Sequence, residues 1–269
     1  MKKIKSLIRT AALLSLLASP IPAAAQHTLA LVGGGGMTNC RLYPSQERRV
    51  TWGVFSGGLS WRYYSAPRYV GGIGVDLEFI QRGLSYSPDA YRHDDKSEYH
   101  YYSRLYNTVS MPVVWQPHVY MFRNHLRIYL EAMLNLEYNI SARYAYDLHS
   151  GEHVEGSYPL INYRDNRFGY GLAGGGGIDL LFGRFEAGVR VRYYFGLSDI
   201  MRNRNKYYDN GLDDPYENPF SYTPLRSPVD NLMISIKLGF RFNKGGFTEW
   251  NIKKPNRDKH KETFRFSLD

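Results

Sequence analysis

One stretch, residues 126–146, constrains the fold of this chain more than any other. Every even position from Leu126 to Tyr146 is apolar or aromatic, whereas seven of the ten odd positions are polar. Because a β-strand sends successive side chains to opposite faces, the pattern predicts one strand with an apolar face and a charged face. At about 3.3 Å per residue it would run about 65–70 Å. Strands in soluble sheets are usually only about 3–10 residues long, so this length is typical of a transmembrane barrel.

The same stretch also allows a helix. Arg127, Glu131 and Asn135 recur at a spacing of four, and several residues between them favour helices. The stretch alone leaves both structures open, and the rest of the chain has to decide between them.

Seven further segments alternate in a similar way, and they are 28–37, 50–63, 69–83, 99–116, 168–182, 185–198 and 230–243. Long polar loops and short turns connect them alternately, and Gly183-Arg184 predicts a two-residue hairpin turn. The apolar face changes side within 50–63, which predicts a β-bulge near Gly57 and Gly58. The pattern favours an all-β fold, an up-and-down meander closed into an eight-stranded antiparallel transmembrane β-barrel with short periplasmic turns and long extracellular loops. A soluble lipocalin-like barrel is the alternative, and it would turn its apolar rows inward.

The two ends of the chain differ in composition from the barrel segments. Residues 1–25 begin with four basic residues, continue with a short apolar run and end in small residues, as a secretory signal peptide does. Without those four charges the formal net charge falls from +9 to +5, too mild to indicate nucleic acid as a partner. The predicted organisation is therefore a signal peptide (1–25), an outer-membrane barrel (26–243) and a basic periplasmic tail (244–269), exported to the outer membrane of a Gram-negative bacterium.

The polar faces of the predicted strands carry charges of both signs, which we expect to line the lumen. The acidic members are Asp76, Glu78, Glu131, Glu137, Asp179 and Glu186, and the basic members are Arg104, Arg127, Arg143, Arg190, Arg192, Lys237 and Arg241. The interior of an eight-stranded barrel is only wide enough to be filled by side chains. Because desolvated charges need partners, these residues predict a structural network that plugs the barrel. A narrow ion path is the alternative.

No pattern in the sequence predicts a catalytic, cofactor or metal site. The cluster from His149 to His153 lies in a loop without a suitable ligand geometry, and Asp209 to Asp214 resembles a calcium loop that lacks its terminal Glu. His100 and Ser103 lie near a strand end, but alternation places them on opposite faces, out of reach of each other. We therefore expect neither an enzyme nor a bound cofactor.

Several segments resemble the PorT-type family of small outer-membrane β-barrel proteins over about 50–243. The resemblance lies in Val109-Ser110-Met111-Pro112-Val113-Val114, in Gly171 to Asp179 with Gly183-Arg184-Phe185-Glu186, and in Arg190 to Leu197 with Leu238-Gly239-Phe240-Arg241-Phe242. The resemblance implies an eight-stranded barrel without catalytic residues. It also implies two partners, outer-membrane lipid and the outer-membrane insertion machinery.

The resemblance also implies a scaffold or accessory role in protein secretion or envelope assembly, with other proteins of those systems as partners. Two other functions remain open from the sequence. The long loops 147–167 and 199–229 would suit a surface barrel that binds ligands or adheres, and some outer-membrane barrels are lipid-modifying enzymes.

Overall fold

The structure is a computed structural model that describes most of the predicted barrel. The described residues are 26–43, 47–64, 71–87, 99–122, 125–148, 150–160, 162, 164–202 and 224–242. The predicted signal peptide (1–25), the predicted tail (244–269), His149 and the calcium-like segment 209–214 lie outside the described residues.

Eleven β-strands form within these ranges, eight of them long. The long strands are β1 (Gln26–Cys40), β3 (Thr51–Tyr64), β4 (Gly72–Ser87), β5 (Tyr99–Gln116), β7 (Leu126–Leu148), β9 (Phe168–Phe182), β10 (Phe185–Gly196) and β11 (Val229–Arg241). Three short strands accompany them: β2 (Glu47–Arg48), β6 (His118–Met121) and β8 (His153–Tyr158).

The long strands form one closed antiparallel barrel. Each pairs with the next long strand along the chain, and β11 pairs with β1 from Thr28–Arg241 to Cys40–Val229, which closes the ring. The short strands extend it, because β2 pairs with β4 whereas β6 and β8 pair with β7. The predicted eight-stranded meander is confirmed.

The 126–146 stretch lies in β7, a strand of 23 residues, so the helical alternative is wrong. No helix in the described part of the chain is long and apolar enough to cross a membrane.

The two faces of the barrel wall have opposite polarity. Large apolar side chains cover the outside, where Leu31 is 65% exposed and Leu134 is 63% exposed. Polar and charged side chains fill the inside, where Asp76 and Arg127 are fully buried. A soluble barrel would have its apolar face inward, so the lipocalin-like alternative is wrong.

Three register shifts occur in the described strands, in β3, in β7 beside Ile140 and between Tyr99 and Tyr101 of β5, and none lies where the sequence predicted a bulge. In β3 the extra residue is Gly53, which has a φ of 77°. Val54 therefore faces inward. The bulge predicted at Gly57 and Gly58 lies instead at Gly53.

In β7 the extra residue is Ile140. Asn107 of β5 pairs with Ser141 of β7, whereas the neighbouring Thr108 pairs with Asn139, so Ile140 lies between the two pairs. A bulge exchanges the faces of all residues beyond it, so the alternation of 126–146 is not continuous.

The connections define two ends of the barrel. At one end, called the turn end, the strands are joined through the shorter sequence intervals (65–71, 117–125 and 183–184), and at the other, the loop end, they are joined through the longer intervals. Phe182 pairs with Phe185 across Gly183, whose φ of 58° suits a tight hairpin turn. The predicted two-residue turn is therefore confirmed.

Candidate functional site

The lumen gathers nearly all of the charged residues that the sequence assigned to it. Twelve of the thirteen are buried, and the exception is Arg143, which faces outward and is exposed. Arg143 follows the bulge at Ile140, so its side chain has changed face. Its assignment to the lumen is therefore wrong.

The first group of buried charges, called the lower tier, lies nearest the turn end. Its members are Arg127 of β7, Asp179 of β9, Glu186 of β10 and Lys237 of β11. Arg127 Nη2 lies 2.8 Å from Glu186 Oε2, and Lys237 Nζ lies 2.6 Å from Asp179 Oδ2. The Arg127 guanidinium also stacks on the Tyr64 ring, 4.6 Å from its centroid. The tier holds two positive and two negative side chains, so it is neutral.

The central tier is the largest group and connects four strands across the lumen. Its basic members are Arg62, Arg190 and Arg192, and its acidic members are Asp76, Glu78 and Glu131. Arg192 Nε donates to Glu131 Oε2 at 2.6 Å, and its Nη1 lies 2.7 Å from Asp76 Oδ2. Arg62 Nη2 lies 3.0 Å from Glu131 Oε1, while Arg190 binds both Asp76 and Glu78. Three guanidinium groups face three carboxylates, so this tier is also neutral.

An apolar layer covers the central tier on the side of the loop end. The layer contains Ile80, Met133 and Tyr194, which pack together with Val54 and Met233. Ile80, Met133 and Tyr194 each follow a central-tier residue (Glu78, Glu131 and Arg192) by two positions on the same strand. The layer is tied to the tier below by the Tyr194 hydroxyl, which donates to Glu78 Oε2 at 2.6 Å.

The upper tier lies above the apolar layer and contains a single ion pair. Arg82 of β4 binds Glu137 of β7, and both side chains are almost completely buried. The polar residues around the pair bind one another, since Ser110 Oγ donates to Asn135 Oδ1 at 2.6 Å and Asn135 Nδ2 donates to Glu137 Oε1.

A tyrosine-rich cap occupies the lumen at the loop end. Arg104 of β5 stacks on the Tyr158 ring at 3.9 Å, donates to the Tyr102 hydroxyl at 2.8 Å and lies 3.7 Å from Asp165. Burial raises the pKa of Tyr158 to about 12, so the phenol keeps its proton and donates it to Asp165 Oδ2 at 3.0 Å. Asp165 is fully buried although it lies in the loop before β9.

Three members of this network were missing from the predicted set. Arg62 and Arg82 lie on predicted strands and alternate with apolar neighbours, so the signal was present, although in β3 the misplaced bulge obscured it. Asp165 carried no signal, because its loop is held by tertiary contacts such as the bridge from Asp165 to Met201 and the hydrogen bond from Asn166 N to the carbonyl of Ile200. Arg241, at the opposite end, reaches the carbonyl of Gly183 in the hairpin turn.

The other constellations of the sequence are only partly described, since His149 and residues 209–214 lie outside the described residues. Among the residues that the structure describes, no group of three or more metal-ligating side chains exists. His153 instead contacts Asp147, with Nδ1 and Oδ1 2.5 Å apart. The hydroxyl of Ser103 donates to the carbonyl of Ala145 at 3.2 Å.

The outer wall carries aromatic residues at both margins of an aliphatic band. Trp61, Trp115 and Phe185 are exposed near the turn end, and Trp52 and Phe168 are exposed near the loop end. Leu, Val and Ile side chains cover the wall between them. Aromatic girdles on either side of an apolar band mark the two interfaces of a membrane-spanning barrel.

Comparison with known families agrees with this geometry. A family model described as "Outer membrane protein beta-barrel domain" matches residues 24–202, more than half of the chain. The chain belongs to this family. The protein is therefore an outer-membrane β-barrel that lies in the outer membrane of a Gram-negative bacterium, with lipid against its apolar wall. Short turns face the periplasm in such barrels, so the loop end faces the cell exterior.

Solved structures of small outer-membrane barrels resemble the protein at low sequence identity. Ail, the attachment invasion locus protein of Yersinia pestis, is 12% identical with a TM-score of 0.36, covering 81% of this chain and 99% of its own. OprG of Pseudomonas aeruginosa is 11% identical with a TM-score of 0.40, covering 82% and 96%. Neisserial surface protein A is 10% identical with a TM-score of 0.37, covering 80% and 97%. At these values the likeness carries no conclusion about function. No curated protein matches the sequence significantly.

Proposed function

We propose that this protein is a non-enzymatic barrel that acts as a scaffold or accessory factor in protein secretion or envelope assembly. One observation carries the proposal: ion pairs fill the lumen from the lower tier to the cap, and opposite charges balance within each tier. An eight-stranded interior filled in this way leaves no aqueous path. This supports a role for the barrel surfaces rather than transport through the lumen.

The non-enzymatic part of the proposal rests on the same side chains. A catalytic acid or base must reach its substrate. The carboxylates of the tiers are instead buried, and each contacts a basic partner; Asp179, for example, lies between Arg127 and Lys237. In our proposal the charged side chains of the tiers stabilise the barrel, because together they form a plug that holds the wall strands in register.

The secretion part of the proposal rests on the resemblance to PorT-type barrels, a narrower group than the family that the chain belongs to. A rigid barrel leaves its two ends and outer wall for partners. The periplasmic side would carry the tail 244–269, which holds seven basic and four acidic residues. Partners in this proposal are outer-membrane lipid, the insertion machinery and other secretion or envelope proteins.

A deletion strain tests the secretion role. We expect loss of the gene to reduce the exported proteins found outside the cell, and the wild-type gene to restore them. A gene truncated before 244 tests whether the tail takes part. An unchanged set of exported proteins in the deletion strain would remove the secretion role.

Planar-bilayer recordings test the closed lumen separately. We expect no steady conductance from the purified barrel. A steady, ion-selective conductance that disappears in Arg192→Ala, with the stability of the barrel unchanged, would show that the lumen is a path and not a plug.

A further inference from the structure

An open groove lies on the outer wall at the loop end, outside the charged lumen. It has a volume of about 890 Å³. One side consists of Phe168, Tyr170 and Leu197, outward residues that continue the lipid-facing surface of β9 and β10. Loop residues also line the groove, among them Arg202 and Arg226. The lining of the groove therefore combines exposed apolar side chains of the wall with two cationic side chains.

The two guanidinium groups are held in a similar way, each through its Nε atom. Arg202 Nε donates to Asn166 Oδ1 at 2.8 Å, and Arg226 Nε donates to Asp199 Oδ1 at 3.2 Å. Within the described part of the chain, no hydrogen bond uses the Nη atoms of either residue. A guanidinium that is oriented through Nε leaves its other donors for a planar or tetrahedral oxyanion.

The charge of the groove favours an anionic ligand. Asp199 is the acidic residue among those that line it, and its Oδ1 also accepts the backbone N–H of Ser227 at 2.6 Å. Asp199 forms an ion pair with Arg226 through Nε, so one carboxylate offsets one of the two arginines and the lining keeps a net charge of +1. The side chain of Arg226 remains 57% exposed, so an incoming ligand can reach it.

We propose that this groove binds a phosphorylated glycolipid of the outer leaflet. Its acyl chains would lie along Phe168, Tyr170 and Leu197, and a headgroup phosphate would bind Arg202 and Arg226. Basic pockets beside an apolar, lipid-facing wall recognise lipid headgroups by this combination of contacts. The occupant is assigned as a lipid because the apolar side of the groove is continuous with the membrane-facing band. This inference does not depend on the proposed secretion role.

Native mass spectrometry of the full chain in detergent micelles provides the test, with bis-phosphorylated lipid A as the probe. We expect one retained lipid per barrel. The double variant Arg202→Gln/Arg226→Gln should bind it at least about tenfold more weakly, because loss of a charge-assisted hydrogen bond has about this effect. Arg184→Gln is the matched control, an exposed arginine in the hairpin at the turn end, and its affinity should be unchanged.

Three further probes, dephosphorylated lipid A, phosphatidylglycerol and inorganic phosphate, use the unaltered protein, so the test does not depend on the folding of a variant. Dephosphorylated lipid A should bind at least about tenfold more weakly than the bis-phosphorylated form. Equal binding of the two forms, or full binding by the double variant, would overturn the proposal. Equally strong binding of phosphatidylglycerol, or displacement of lipid A by millimolar inorganic phosphate alone, would also overturn it, by showing a general anion site.

Discussion

The pair formed by Arg82 and Glu137 allows the energetic role of the lumen charges to be measured. It is the one ion pair of the upper tier among the described residues, and its side chains are only 4% and 7% exposed. Two unit charges about 4 Å apart at an effective dielectric constant of about 20 attract by about 4 kcal/mol. Removing one partner of a buried pair costs a similar amount, about 3–5 kcal/mol, because the other charge stays desolvated.

We therefore expect Glu137→Gln and Arg82→Met each to lower the free energy of unfolding by about 3–5 kcal/mol. The double variant should be no less stable than either single variant, because it leaves no unpaired charge. Arg143→Met is the matched control. It removes an outward arginine, and its effect should stay within about 0.5 kcal/mol, as for most surface substitutions.

Urea unfolding of the barrel in lipid vesicles, followed by tryptophan fluorescence, gives these values, and heat-modifiable migration in gels confirms that each variant folds. A loss below about 1 kcal/mol for Glu137→Gln, the value typical of an exposed pair, would refute the reasoning. An equal loss of stability in Arg143→Met would also refute the reasoning, because it would indicate that the side chain of Arg143 lies in the lumen.

Three further predictions follow from other parts of the barrel. Leu134→Arg should lower the stability by about 2–4 kcal/mol near mid-membrane, because it turns a charge toward lipid, whereas Leu134→Ile should be nearly neutral in the same unfolding assay. Gly34→Ala should prevent formation of the heat-modifiable barrel, because a Cβ there would overlap the carbonyl oxygen of Ile234 on the strand that closes the ring. The hydrogen bond that protonated His153 donates to the Asp147 carboxylate raises the pKa of His153, so this contact should be strongest while His153 is protonated and weaken as the pH rises through the raised pKa; an NMR titration should show the raised value, and an unchanged pKa in Asp147→Asn would contradict the assignment.

The strands and most of their faces were predictable because alternation is a local property. In β7 the residues from Leu126 to Tyr138 alternate without interruption, and the structure keeps every one of those faces. Alternation of this kind along the strands predicts all four residues of the lower tier and five of the six residues of the central tier, Arg62 being the exception. The membrane-facing character of the wall was predictable in the same way, since it depends on which residues share a face and not on which strands meet.

The faces near bulges were not predictable, because a bulge depends on the partner strand. Gly53 takes its positive φ where β3 must stay in register with β1. Ile140 is the additional residue where β7, still paired with β5, continues past the end of β9 and begins to pair with β8. Each bulge changes the face of the residues beyond it, which explains why Arg143 lies outside although its sequence position predicts the lumen.

The sequence by itself determined that this chain forms long amphipathic strands with charges of both signs on one face. Only the tertiary structure decided which charges meet, because closure of β11 on β1 sets the height at which every strand presents its side chains. Asp165 shows the difference most clearly, since it belongs to a loop and reaches Arg104 only when that loop folds over the lumen. The oxygen and nitrogen atoms of an ion pair must come within a few ångströms of each other, and in a barrel that distance depends on register and closure, which no local pattern contains.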